Sequence, residues 1–198
     1  MIKFKQGWPL KKPQSTLLKP VLEGFRVCLK APCSDDYKEW SLVRAKNQNF
    51  LEPFEPQWAE DCLTRDFFDR RLIRQAEEQA AGRGCYFLIH HKRDDHIIGG
   101  INLNNIQLGA AQQASLGYWL DQDCQGQGYM REAATLVIEY AFHVLKLKRL
   151  NAACLPDNAR SIALLKSLNF EEEGFAKKYL QINGVWQDHV LFGLCNCL

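Results

Sequence analysis

Two glycines separated by one residue carry the strongest chemical signal in this sequence. An alternating stretch ending at Leu120 leads through Asp121 to Gln125, then Gly126-Gln127-Gly128, and directly into a helical pattern from Tyr129. Such a strand-to-helix turn presents several backbone N–H groups at the positive end of a helix dipole. Glycines there let an anion approach the backbone closely. The ligand this suits is a phosphate or pyrophosphate. A dinucleotide fold would need G-x-G-x-x-G near its first strand, with an acid about 20 residues on. Here Arg131 stands at the third glycine and the turn lies deep in the chain. A Walker loop needs Gly-Lys-Ser/Thr, which is absent. The bland alternative is a glycine turn that holds nothing.

A second pattern follows a strand expected to end near Leu155. Asn158 and Ser161 stand one helical turn apart, so both can face one cleft. Equally, Asn158 can cap the helix and Ser161 can satisfy its first turn. Glu52, Glu55 and Asp188 are carboxylates suited to the mouth of a cleft, and solvation explains each of them alone. The aromatic-rich segment 50–58, with Tyr179 and Trp186, could wall a channel or pack into a core. The histidines are scattered and none stands at ligand spacing to another. Eight cysteines include one close pair, Cys195 and Cys197, and most others lie in apolar stretches. They read as reduced thiols, with no metal site.

The elements that must position these groups alternate in type. Strands are expected at 24–30, 85–91, 96–104, 114–120, 149–155, 173–182 and 185–194, with Asn183-Gly184 as a type I′ hairpin turn. Helices are expected from Ser34–Asp35 to Lys46, from Asp61 to the glycines at 82 and 84, from Tyr129 to Lys146, and from Asn158 to Leu168. The segment 50–58, with Pro53 and Pro56, reads as a loop.

Composition bounds the class. With 46% apolar and 24% charged residues, collagen-like, disordered and coiled-coil chains are excluded. No apolar run approaches the ~18–20 residues of a membrane helix, and no signal-peptide stretch opens the chain, so the expected location is cytoplasmic. The formal charge of +2 is unevenly placed. Residues 1–22 hold five lysines and no acid, while residues 23–198 hold 20 basic and 23 acidic residues. The expected organisation is a basic arm, 1–22, on one mixed α/β domain, 23–198.

Gln125-Gly126-Gln127-Gly128-Tyr129-Met130 resembles the Q/R-x-x-G-x-G/A signature of the GNAT acetyltransferase superfamily, with Met130 departing from the final small residue. Asn158-Ala-Arg-Ser161, followed by a helix ending at Asn169-Phe170, resembles that family's N-x-x-S element, with Asn169 for the usual glycine. Leu116-Gly-Tyr-Trp, Phe170-Glu-Glu-Glu-Gly-Phe and Ile182-Asn-Gly-Val-Trp bring the resemblance closest to the Rim-type ribosomal-protein-alanine N-acetyltransferases.

The resemblance implies a single GNAT fold: a mostly antiparallel mixed sheet of about seven strands flanked by about four helices, with a splayed strand pair as the acetyl-CoA cleft. It implies acetyl transfer from acetyl-CoA, the cosubstrate, to a primary amine through a tetrahedral intermediate. Gln125, Gly126, Gln127, Gly128, Tyr129 and Met130 would hold the pyrophosphate, and Asn158 with Ser161 the pantetheine arm. The oxyanion would meet a backbone N–H of the strand carrying Leu116, Gly117 and Tyr118. Leu165 stands where many relatives carry a proton-donating tyrosine, so Ser161 is the nominated acid. Asp188 is the nominated carboxylate. An α-amine titrates near ~7.7–8.0, against ~10.4 for lysine, so a missing base favours the N-terminal amine of a protein, ribosomal by resemblance. The alternatives are a small amine (polyamine, aminoglycoside or amino acid) and a ribosome-associated factor binding through the arm. Either a monomer or a homodimer is compatible.

Overall fold

The computed structural model describes residues 21–196, so the basic arm falls almost wholly outside the described residues, as does Cys197. Along the chain run β1 (Leu22–Glu23), β2 (Val27–Lys30), α1 (Tyr37–Lys46), α2 (Gln48–Leu51), α3 (Arg65–Ala80), β3 (Cys85–His91) and β4 (Ile97–Gln107). Then come β5 (Gln113–Leu120), α4 (Tyr129–Glu139), β6 (Arg149–Cys154), α5 (Ala159–Ser167), β7 (Glu171–Ile182) and β8 (Val185–Cys195). The eight strands form one sheet in the order β1-β2-β3-β4-β5-β6-β8-β7.

Every neighbouring pair is antiparallel except β5 and β6. These two run parallel for three residue pairs, ending at Ser115↔Asn151. Beyond that point β5 stays paired with β4 as far as Leu120, and β6 stays paired with β8 as far as Cys154. Between them the sheet opens. This is the splayed pair that the family resemblance implied.

Strand alternation sorts the side chains into two cores, one on each face. Phe87, Ile89, Ile101, Leu103 and Phe192 join Val137 of α4 and Leu165 of α5 on one face. Leu88, Ile97 and Trp119 join Trp40 of α1 and Phe68 of α3 on the other. Phe68 is 1% exposed and its ring lies 4.8 Å from that of Trp40. Truncating such a side chain to alanine costs about 3–5 kcal/mol.

Four local departures from the sequence reading have physical causes. The first expected strand begins at Val27, because Gly24–Arg26 form a turn closed by Gly24 N–H donating to the Val27 carbonyl at 2.9 Å; β1 precedes it as an eighth strand. The segment expected as a loop starts as helix α2 and tightens into a 3₁₀ turn at Glu52–Phe54, where Pro53 ends regular bonding. Thr64, not Asp61, caps α3: its hydroxyl accepts from the Phe67 amide at 3.3 Å. Finally α4 stops at Glu139 and widens into a π turn, Tyr140–Val144, instead of continuing to Lys146.

Both expected left-handed asparagines are seen. Asn183 (φ 44°) and Gly184 (φ 77°) are both left-handed, as a type I′ turn requires. Asn169 closes α5 at φ 64°. Cys28, Cys33, Cys62, Cys85, Cys124 and Cys154 are reduced thiols. Among the described residues no cluster of three metal-ligating side chains occurs, and no helix is long and apolar enough to cross a membrane.

Candidate active site

The exit from β5 is pinned before the glycine turn begins. Asp121, 7% exposed, accepts from Lys46 Nζ at 2.9 Å, from Asn47 Nδ2 at 3.1 Å and from the Asp123 amide at 3.1 Å. Asn47 in return accepts from the Gln122 amide at 2.8 Å. Burial pushes the Asp121 carboxyl up, but these donors outweigh it and hold the group below the usual carboxylate range.

Gly126 (φ 71°) and Gly128 (φ 82°) then take left-handed backbone, and Gly128 immediately precedes α4. Arg26 fixes the turn from the far end of the sheet. Its guanidinium donates to the Gln127 carbonyl at 2.8 Å and pairs with Glu132 at 3.1 Å, and it lies 4.9 Å from the centre of the Tyr129 ring. Glu132 also accepts from the Arg26 and Val27 amides, at 2.7 and 3.3 Å. A side chain at Gly128 would meet this guanidinium at 3.1 Å. Among the described residues no side chain caps α4, so its first amides remain free for an anion. A Cβ on Gly126 would meet open space. Met130 turns its side chain into the core, 7% exposed. The larger side chain is therefore accommodated inward, away from the turn. These features fit the pyrophosphate of acetyl-CoA.

Backbone polarity along the opening follows from two hydrogen bonds. The Asp121 amide donates to the Ile98 carbonyl of β4 at 2.8 Å, and the Gln112 carbonyl accepts from the Lys148 amide at 2.7 Å on the β6 side. In an antiparallel ladder the direction alternates residue by residue. The peptide groups of Leu116 and Tyr118 therefore face the gap, whereas Gly117 pairs with Asn102 of β4. Of the two residues expected to present an oxyanion donor, Leu116 has its N–H in the opening and Gly117 does not. Tyr118, on the same expected strand, has its N–H in the opening as well; its side chain is what sequence reasoning missed.

The Tyr118 side chain lies on the α4–α5 face and interacts with Ser161. Burial pushes its phenol up to about 12, and the hydrogen bond with Ser161 opposes that shift. Asn158 caps α5, its Oδ1 accepting from the Ser161 amide at 3.1 Å. The capping role is thus the one seen. Leu165 is a core residue, 1% exposed.

The candidate carboxylates are all engaged. Glu55 pairs with Arg44 at 2.7 and 2.5 Å and accepts from Trp58 Nε1 at 2.8 Å. Glu52 accepts from Gln48 at 2.6 Å. Asp188 accepts from the Lys178 amide at 2.8 Å, holding a β7 bulge where Lys178 has φ 46°. Its position gives it a structural task, and nothing brings it together with Ser161. The aromatics divide: Phe50 and Trp58 pack against the second core, while Tyr179 and Trp186 stay partly exposed on the β7–β8 hairpin.

On the α1–α3 face the central strands are unexpectedly polar. Alternation places Asn102, Asn104, Gln113, Ser115 and Asn151 there. A cavity of about 400 Å³ opens over this floor, bounded by Gln113, Ser115, Asn151, Glu78 and Tyr179. The tip of the β7–β8 hairpin reaches across, with the Asn183 amide donating to the Glu55 carbonyl at 2.9 Å. The glycine turn thus lies at the open end of β5 and β6, before α4, and the polar cavity lies on the other face beside their paired end at Ser115 and Asn151.

A phosphate turn beside parted parallel strands is the cleft of a transferase that uses a coenzyme A thioester. The chain belongs to the GNAT acetyltransferase family: the acetyltransferase (GNAT) domain matches residues 26–171. The [ribosomal protein uS5]-alanine N-acetyltransferase of Escherichia coli is 38% identical over 161 residues, 80% of this chain and 83% of that protein. The ribosomal-protein-S5-alanine acetyltransferase structure from Vibrio fischeri superposes with TM-score 0.84 at 32% identity, covering 90% of this chain and 97% of that one. Mycobacterium smegmatis RimJ in complex with CoA-disulfide gives TM-score 0.85 at 28% identity, over 90% and 88%. The protein is an acetyl-CoA-dependent N-acetyltransferase.

Proposed function

We propose that this enzyme acetylates the N-terminal α-amine of a protein, with ribosomal proteins as the acceptor class. The observation that carries the reading is a pair of features on the two faces of the sheet: a glycine turn before α4 with no side-chain cap among the described residues, suited to acetyl-CoA, and a polar cavity of about 400 Å³ on the α3 side, suited to the end of a polypeptide. The names of the relatives support the acceptor class.

In this reading the Leu116 and Tyr118 amides donate to the thioester oxygen as charge develops on it. Amine nitrogen bonds to the acetyl carbon, the carbon–sulfur bond breaks, and the sulfur takes a proton from the Ser161–Tyr118 hydroxyl pair. The amine's own proton leaves to water, and the hydroxyl pair regains its proton from water. No carboxylate base is required, because Glu52, Glu55 and Asp188 are otherwise engaged and an α-amine near ~7.7–8.0 is partly neutral already.

The test is thiol release from acetyl-CoA with Ala-, Ser- and Thr-starting peptides, set beside polyamines, an aminoglycoside and free amino acids. We expect turnover with the peptides, rising with pH through ~7.7–8.0 as the amine deprotonates. Turnover with small amines alone would overturn the reading.

A further inference from the structure

One face of α3 carries charge that the acetyl transfer does not use. Phe67, Arg70, Arg71 and Arg74 recur three and four residues apart, hence along one side of the helix. With Asp61 they line a further cavity of about 230 Å³. Arg70 is paired with Asp61, and Arg44, the next cation inward, is paired with Glu55. Among the described residues neither Arg71 nor Arg74 has a carboxylate in ion-pair range. The Arg71 guanidinium sits 5.8 Å from the centre of the Trp40 ring. Lost hydration, then the charges of Arg44 and Arg74, pull it down to about 10, with Glu55 acting the other way. It remains cationic at neutral pH, and a poorly hydrated cation without an anion is costly.

The place of this cavity restricts its ligand. The phosphates of acetyl-CoA belong at the α4 terminus, whereas α3 packs on the opposite face of the sheet. Arg44, beside Arg71, stacks 5.0 Å from the centre of the Trp119 ring in the open part of β5. Arg74 stands one helical turn before Glu78, which bounds the polar cavity. From residue 71 to residue 78 the helix rises about 10 Å, the span of about three residues of extended chain.

We propose that the Arg71–Arg74 cavity is a subsite for an acidic side chain of the acceptor polypeptide, a few positions after the acetylated residue. The inference rests on the acceptor being a protein N-terminus. A carboxylate there would gain charge-assisted hydrogen bonds from guanidinium groups that no carboxylate of the described residues occupies.

The experiment compares Ala-starting peptides carrying a single Glu, or Gln in its place, at each of positions 2 to 6. With the full chain and saturating acetyl-CoA, Glu at one of these positions lowers KM for the peptide about tenfold against Gln, the size of one good charged hydrogen bond. In Arg74→Gln that Glu-to-Gln ratio falls toward one; because the ratio is the readout, a general loss of activity cancels. Arg71→Gln does the same where it folds, and the exposed Arg74 keeps the test secure where it does not. Inorganic phosphate serves as a second probe. Competition by phosphate against the Glu peptide only supports the subsite, and inhibition by phosphate without any Glu preference overturns the acidic-peptide assignment in favour of a plain anion site. Equal KM for Glu and Gln peptides at every position overturns the inference while N-terminal acetylation stands. Failure to acetylate any peptide overturns the acceptor reading instead.

Discussion

Tyr118, its phenol raised to about 12, keeps its proton throughout the neutral range and can therefore give one but not take one. In the proposed mechanism the Tyr118–Ser161 pair takes the place of an acid that Leu165, buried in the core, does not supply. Ser161→Ala and Tyr118→Phe should each lower kcat on the order of tenfold to a hundredfold, at the modest end of acid catalysis, with little change in KM for acetyl-CoA. The double variant should be no worse than the weaker single one, since both remove the same proton path. Thiol-release kinetics check this, and additive losses would show two separate roles. The residues legible in the sequence were those whose partners lie nearby in the chain, such as the glycine turn and the Asn158–Ser161 spacing. The Tyr118 hydroxyl was hidden because its alternation with Leu116 and Leu120 has the pattern of a core stripe. Arg26 was hidden because it meets Gln127 and Glu132 only after the sheet has brought distant segments together.

Elements are positioned here by a small polar cluster. Asp121 ties the end of β5 to Lys46 and Asn47 at the end of α1, and so aims the glycine turn that follows. Its folded-state pKa lies below the unfolded value near ~3.9, so the linkage stabilises the fold fully at higher pH and is lost as pH falls through the depressed value. Asp121→Asn should cost roughly 1–3 kcal/mol at neutral pH, reduced because Lys46 is half exposed. In urea titrations from pH 6 to 3 the wild type should lose more stability than the variant, and parallel losses would remove Asp121 as the cause. The helices and strands themselves were legible through periodicity. Their ends were less so, where a cap or a bulge depended on tertiary partners: the Thr64 cap, the π turn at Tyr140 and the bulge held by Asp188.

At the scale of the molecule, charge and catalysis occupy different segments. The match to the GNAT domain begins at Arg26, beyond the five lysines of residues 1–22. Removing residues 1–20 should leave kcat and KM on a peptide acceptor unchanged within about twofold, and a larger change would place the arm in the site. The mixed sheet with its one parallel junction could be inferred as a family pattern, but the strand order could not be read from periodicity, which says nothing about neighbours.

That order has a consequence for how the enzyme comes into being. β8, latest of the eight strands in sequence, lies between β6 and β7 and so occupies an interior place in the sheet. Chains made from the N-terminus fold what has already emerged. The phosphate turn and its Arg26 clamp need nothing beyond α4, yet β6 and β7 have no bridge until residues 185–195 exist. A nascent or truncated chain lacking that strand would present two unpaired edges, the kind that invites aggregation. Closing of the sheet therefore waits for residues 185–195, whereas the glycine turn and the arginine face of α3 both precede them in the chain.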